Sequence, residues 1–132
     1  MTSNDHSYRP PGLSSRWRRR FTDAVDGLWI ACRTQESLWV HLAFAVLVPC
    51  VAAILQVEAW QWCALILCIA LVIALELLNT AIERLVKTLH PDHDAGIAEV
   101  LHMSAAAALV GATGSVFVGL IVIIPKFFEW LK

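Results

Sequence analysis

Apolar residues gather into three runs along the chain, Leu38 to Leu55, Trp60 to Leu78 and Ser104 to Pro125, each flanked by polar or charged positions. A helix crossing a hydrocarbon core of ~30 Å needs ~20 residues, so each run predicts a transmembrane helix. Only Gln56-Val57-Glu58-Ala59 separates the first two, a turn short enough to make them antiparallel neighbours. Pro49 lies inside the first run and predicts a kink there. Ahead of these runs the period changes. Trp17, Phe21, Ala24, Leu28 and Ala31 recur at alternating steps of four and three, opposite Arg18, Arg19, Thr22, Asp23 and Asp26. That pattern predicts an amphipathic helix lying in the headgroup plane. The expected fold is therefore an all-α membrane protein, an N-terminal amphipathic surface helix plus three transmembrane helices. Residues 1–15 are expected to be a disordered tail and 16–132 a single membrane-embedded domain, with spans at about 38–55, 60–78 and 104–125.

Composition supports this division. The 132 residues are 58% hydrophobic and 16% charged, and the mean hydropathy of +0.65 leaves no room for a separate soluble domain. Eight of the ten basic residues are Arg9, Arg16, Arg18, Arg19, Arg20, Arg33, Arg84 and Lys87, leaving Lys126 and Lys132 elsewhere. Basic residues favour the cytoplasmic side, which places the N-terminus and the 84–102 segment inside and the C-terminus outside. Residues 1 to 15 lack the apolar core of a cleavable leader, so the first span would act as its own insertion signal. Trp39, Trp60, Trp62 and Trp130 lie where interfaces are expected. Cys32, Cys50, Cys63 and Cys68 have no metal-ligand spacing and are expected to pack as small hydrophobes. The arginines at 16 to 20 suit anionic lipid, with a nucleotide-phosphate contact from Arg16 or Arg19 as the functional alternative. Beside a membrane span and without a reading fold, they do not point to nucleic acid.

Chemistry concentrates at the end of the second run, in Glu76-Leu77-Leu78-Asn79-Thr80-Ala81-Ile82-Glu83. Glu76 and Glu83 are seven residues apart, nearly two helical turns, so their carboxylates and the Asn79 amide share one face. An ionisable residue in a membrane helix costs ~2.5 to 3.5 kcal/mol at the centre and turns inward or toward a polar cavity. Such a face could hold Mg2+ or supply a general base, relay protons or ions, or simply bind helices together. No phosphate-binding glycine loop and no HExxH motif decides among them. Gly111, Ser115 and Gly119 allow close helix approach, so the third span is a candidate oligomer contact that would shield the acidic face from lipid.

The Glu76 to Glu83 segment resembles the signature of the bacterial integral-membrane diacylglycerol kinase family, which includes undecaprenol kinases. The likeness extends through Gly27-Leu28, the Val40-His41-Leu42 opening of the first span and the small residues Ser104 to Leu109, covering roughly Arg16 to Ile124. His41 and its neighbours are closer to the undecaprenol kinase branch. The resemblance implies a homotrimer with composite sites at the cytoplasmic interface, and phosphoryl transfer from ATP to a lipid alcohol, diacylglycerol or undecaprenol. It implies that Glu76 is the general base on the lipid hydroxyl, Asn79 positions substrate, and Glu83 binds the Mg2+ of the nucleotide. Gln35 stands where the family has a second metal-binding Glu, Leu101 where it has a Lys, and His102 where it has an Asp. Gln35 retains an amide oxygen for Mg2+, whereas Leu101 cannot replace a cation, and Arg84, Lys87 or an N-terminal arginine is the expected substitute. Asp92, Asp94 and His102 fall on the nucleotide side of the implied site; alternatively, His90 to Asp94 is a polar turn and His102 an interface residue. The three departures motivate a second reading, a catalytically weakened membrane-binding or sensing module. A small ion or proton conduit through Glu76 is the third.

Overall fold

A computed structural model describes residues 13–89 and 95–132. Four helices follow one another: α1 (Leu13–Thr34), α2 (Glu36–Ile54), α3 (Ala59–Leu89) and α4 (Ala95–Trp130). The last three are each long and apolar enough to cross a membrane, and the protein is an all-helical membrane protein. The disordered-tail expectation lies outside the described residues, save that α1 already begins at Leu13.

Two helices outrun the apolar stretches that announce them. α3 continues eleven residues past Leu78 and α4 begins nine before Ser104, so the expected 84–102 loop is largely helix. The reason is local: the sequence from Asn79 to Leu89 has no Pro or Gly, and a polar stretch without a breaker continues a helix outside the apolar layer. At ~1.5 Å per residue α3 is ~46 Å and α4 ~54 Å long, well beyond a hydrocarbon core of ~30 Å. Pro49 and Pro125 both sit within continuous helix, which transmembrane segments tolerate when neighbouring groups satisfy the freed carbonyls.

α2 turns into α3 over four residues. The Val57 N–H reaches the Ala52 carbonyl (3.2 Å) and the Gln56 N–H the Ala53 carbonyl (3.3 Å), the double closure of a Schellman motif. Gln56 takes the left-handed conformation (φ 51°) that this motif demands and that glycine usually fills. α3 then opens with half of a capping box, the Glu58 N–H donating to Gln61 Oε1 at 2.8 Å. Beneath this turn Ala52, Leu55, Val57, Leu65 and Val122 form the core, with Trp62 packed against it. Lys126 of α4 joins the same end, 3.6 Å from Glu58 and 3.0 Å from Glu129.

Small residues set the α3–α4 contact. A Cβ at Gly111 would run into the Leu75 side chain, and the Ser115 hydroxyl, which donates to the Gly111 carbonyl at 2.8 Å, lies 3.4 Å from the Cys68 carbonyl. Part of the stripe expected to join separate chains thus packs within this one. The four cysteines are free; Cys50 and Cys63 are exposed and Cys32 and Cys68 half-buried.

α1 touches the bundle only near its C-terminal end. Residues 16 to 30 are exposed and Ala31 is buried, so among the described residues the stripe of Trp17, Phe21 and Leu28 is not covered by α2, α3 or α4. Arg20 lies over Trp17 and Arg33 over Trp29, with the guanidinium carbons 5.8 and 4.6 Å from the ring centroids.

Candidate functional site

The inward stripe of α3 changes character along its length. From the turn upward it runs Gln61, Leu65 and Val72, all buried, and then continues on the same face as Glu76, Asn79, Thr80 and Glu83. The acidic face is therefore the polar extension of the packing stripe, and it points at α2 and α4 rather than at acyl chains. Counted from Ala59, Glu76 lies ~26 Å along the helix and Glu83 ~36 Å.

Two residues from the first turns of α2 grip Glu76. The Ser37 hydroxyl donates to Oε2 at 3.0 Å, and His41 Nε2 lies 3.1 Å from Oε1. Ser37 and His41 are four residues apart, so a helix presents both on one side. The Glu76 side chain is only 12% exposed and that of His41 23%. Each carboxylate oxygen has a protein partner, which offsets the cost of burial. Thr80 is kept out of the pairing by donating to the Glu76 carbonyl at 2.8 Å.

A second relay crosses to α4. Asn79 Nδ2 donates to Glu83 Oε1 at 3.1 Å, while its Oδ1 accepts from the Ser104 hydroxyl at 2.7 Å. Glu83 is half-buried, with Lys87 3.9 Å from its other oxygen, an exposed i,i+4 pair that contributes little. Beside Glu83, Arg84 hydrogen-bonds through Nη2 to the Thr34 hydroxyl at the end of α1. That link brings the α1–α2 junction up to α3. Gln35, the residue after Thr34, is half-buried and takes the N-cap position of α2 without using its side chain to cap the helix. Its amide therefore stays on hand at the same end of the bundle as Glu83.

The other expected site residues are less gathered. Arg16 and Arg19 stand on the exposed first turns of α1, with ~22 Å of helix between Arg19 and Thr34. His102 is exposed on α4, next to half-buried Leu101. Asp92 and Asp94, with His90 and His93, lie outside the described residues. Among the described residues no three His, Cys, Asp or Glu side chains converge as a ready-made metal cage. Mg2+ does not require one, since it commonly rests on one or two carboxylates together with substrate phosphates and water.

Ser37 is absent from the residues that the sequence singles out, and His41 and Ser104 appear there only as marks of resemblance. A polar i,i+4 pair opening an otherwise apolar span is the available signal for Ser37 and His41; Ser104 has none beyond its place in a run of alanines.

A family model described as prokaryotic diacylglycerol kinase matches residues 22–123. An undecaprenol kinase of Bacillus subtilis (strain 168) is 30% identical over 126 residues, spanning 96% of this chain and 99% of that protein. No solved structure matches.

Proposed function

We propose a defined activity for this chain, which belongs to the prokaryotic diacylglycerol kinase family and is a lipid kinase: it transfers the γ-phosphate of ATP to the hydroxyl of a membrane lipid alcohol, diacylglycerol or undecaprenol, at the cytoplasmic interface. The observation that carries this reading is Glu76, held inward by Ser37 and His41 and only 12% exposed.

Glu76 takes the hydroxyl proton as the alcohol oxygen bonds to the γ-phosphorus and the bond from that phosphorus to the bridging oxygen breaks, releasing ADP. Ser37 and His41 hold the carboxylate against rotation, and the low exposure of the site keeps water from competing as acceptor. Asn79 ties Glu83 to α4 through Ser104, fixing the distance between the proton acceptor and the phosphate side. Glu83 and Gln35 offer a carboxylate and an amide oxygen at the polar end of the bundle, a hard donor set that suits Mg2+. When bound, the ion would neutralise phosphate charge and hold the nucleotide in line. Asp92, Asp94 and His102 contribute on the nucleotide side.

Among the described residues one chain brings little free positive charge to this site: Leu101 supplies none, Arg84 is engaged with Thr34, Lys87 is paired with Glu83, and Arg16 and Arg19 stand on the exposed first turns of α1. A homotrimer, in which the α1 arginines of one protomer reach the phosphates held by its neighbour, completes it. The outer face of α3 favours such an assembly: Leu67, Leu71, Ala74, Leu78, Ala81 and Leu85 alternate at steps of four and three and are all exposed, the spacing of a helix–helix seam. The N-terminus lies in the cytoplasm and the C-terminus outside.

The test is transfer of labelled γ-phosphate by the purified protein in mixed micelles containing diacylglycerol or undecaprenol with Mg2+ and ATP. The expected result is label in one or both lipids. A protein that binds neither nucleotide nor lipid, and labels neither, would refute the reading.

A further inference from the structure

Lys87, Arg33 and Arg84 stand near Glu83 and the end of α1. Lys87 lies 3.9 Å from Glu83, and Arg33 lies over the Trp29 ring, 4.6 Å from its centroid. Arg84 pairs with no acid among the described residues; its Nη2 donates to the Thr34 hydroxyl. That hydroxyl gives its own hydrogen back to the Ile30 carbonyl at 2.8 Å, so it meets Arg84 as a neutral acceptor. The bond occupies one N–H group of the guanidinium and leaves its charge uncompensated.

Both ends of this bond adjoin the oxygen donors proposed for Mg2+. Arg84 follows Glu83 on α3, and Thr34 precedes Gln35, whose half-buried amide does not cap α2. A polyphosphate anion seated on those two donors therefore arrives beside the guanidinium. The bond between Arg84 and Thr34 is exposed, so water can stand in for either partner and the contact is cheaply given up. A phosphate offers what Thr34 lacks, negative charge together with paired oxygens that match the planar fork of an arginine. An anion placed there displaces the hydroxyl.

We propose that Arg84 is a phosphate ligand of the nucleotide site, held on Thr34 while the site is empty and passing to a phosphate of Mg·ATP when it fills; this rests on the kinase activity proposed for the chain. Thr34 is then a competitor of the nucleotide, and losing its hydroxyl helps binding. That sign separates the exchange from a purely structural tie between α1 and α3, in which removing either partner does the same damage.

The test is Mg·ATP affinity by calorimetry on the full chain in detergent, for wild type, Thr34→Val, Arg84→Gln, Arg84→Lys and the double variant Thr34→Val with Arg84→Gln. Arg84→Gln should raise Kd ~10-fold and Thr34→Val should lower it ~2- to 5-fold. Arg84→Lys, which keeps the charge and loses the fork, should fall between wild type and Arg84→Gln. In the double variant the gain from Thr34→Val should vanish, because no arginine remains to be released. Inorganic tripolyphosphate with Mg2+ should rank the variants in the same order, since the contact is to phosphate. Melting temperature supplies a second reading. Without nucleotide, Thr34→Val and Arg84→Gln should melt together below wild type, having lost the same bond; with Mg·ATP, Thr34→Val should gain at least the wild-type shift and Arg84→Gln less. Weakening of Mg·ATP binding by both single variants alike, or unchanged binding in both, overturns the proposal. If wild type binds Mg·ATP and the variants miss this pattern, the kinase reading stands and the exchange on Arg84 falls. A wild type without affinity for Mg·ATP removes both.

Discussion

Removing the grip on Glu76 should slow phosphoryl transfer while the carboxylate itself remains. Ser37 and His41 each contact one oxygen of a side chain that is only 12% exposed, the His41 contact half-buried and the Ser37 contact exposed, so water replaces the first less readily than the second. A hydrogen bond to a charged group contributes ~1.5 to 3 kcal/mol. Where that bond serves to aim a reacting atom, its loss appears in kcat at a factor of ten per ~1.4 kcal/mol. Ser37→Ala should therefore lower kcat ~10-fold and His41→Ala ~10- to 100-fold. His41→Gln, which keeps a donor near the same place, should recover much of the loss. Because both residues aim one carboxylate, the double variant should fall short of the product of the two single losses, a coupling of ~0.5 to 3 kcal/mol. Initial rates across lipid concentration, taken on protein with unchanged trimer size and melting temperature, separate kcat from KM. Single variants that match wild type in kcat while Glu76→Gln is inactive would show that the base needs no clamp, and the positioning argument would fail.

Restoring the carboxylate by Gln35→Glu should lower the Mg2+ concentration for half-maximal activity several-fold, since Mg2+ sites depend on carboxylate charge; an unchanged Mg2+ curve would put residue 35 outside the coordination shell. Gly111→Val drives a side chain into Leu75 and should cost ~1 to 3 kcal/mol of stability, read as a lower melting temperature in detergent, whereas Gly114→Val, which meets nothing, should leave it in place. Equal shifts in both would contradict the close α3–α4 approach. Ala74→Trp, on the exposed face of α3, should break the proposed trimer into smaller species by light scattering, because a bulky residue cannot seat where helix backbones meet. A trimer that survives would move the contact to α4.

The three spans and the shared face of Glu76, Asn79 and Glu83 were legible in the sequence because both depend on local periodicity, apolar run length in one case and steps of three and four in the other. The ends of α3 and α4 were not, since hydropathy marks where a helix leaves lipid and says nothing of where its hydrogen bonding stops. The grip on Glu76 was out of reach for a different reason. Ser37 and Ser104 meet Glu76 and Asn79 across sequence separations of 39 and 25 residues, and such contacts exist only once the helices have packed. The stripe of Gly111 and Ser115 shows the limit most plainly. Its composition announced a close helix contact, but composition cannot say whose helix, and the partner proved to be α3 of the same chain.

In the proposed mechanism two acids divide the labour at this site, Glu76 receiving a proton from the alcohol and Glu83 serving the nucleotide and its metal. Glu76→Gln, which preserves shape, separates the two roles, and the decisive measurement pairs single-turnover phosphoryl transfer with Mg·ATP affinity by calorimetry on the same trimeric sample. Such a division predicts transfer reduced by ~100- to 10,000-fold with nucleotide affinity unchanged. Transfer within ~10-fold of wild type, below the contribution expected of a general base, or a parallel loss of Mg·ATP binding, would contradict it.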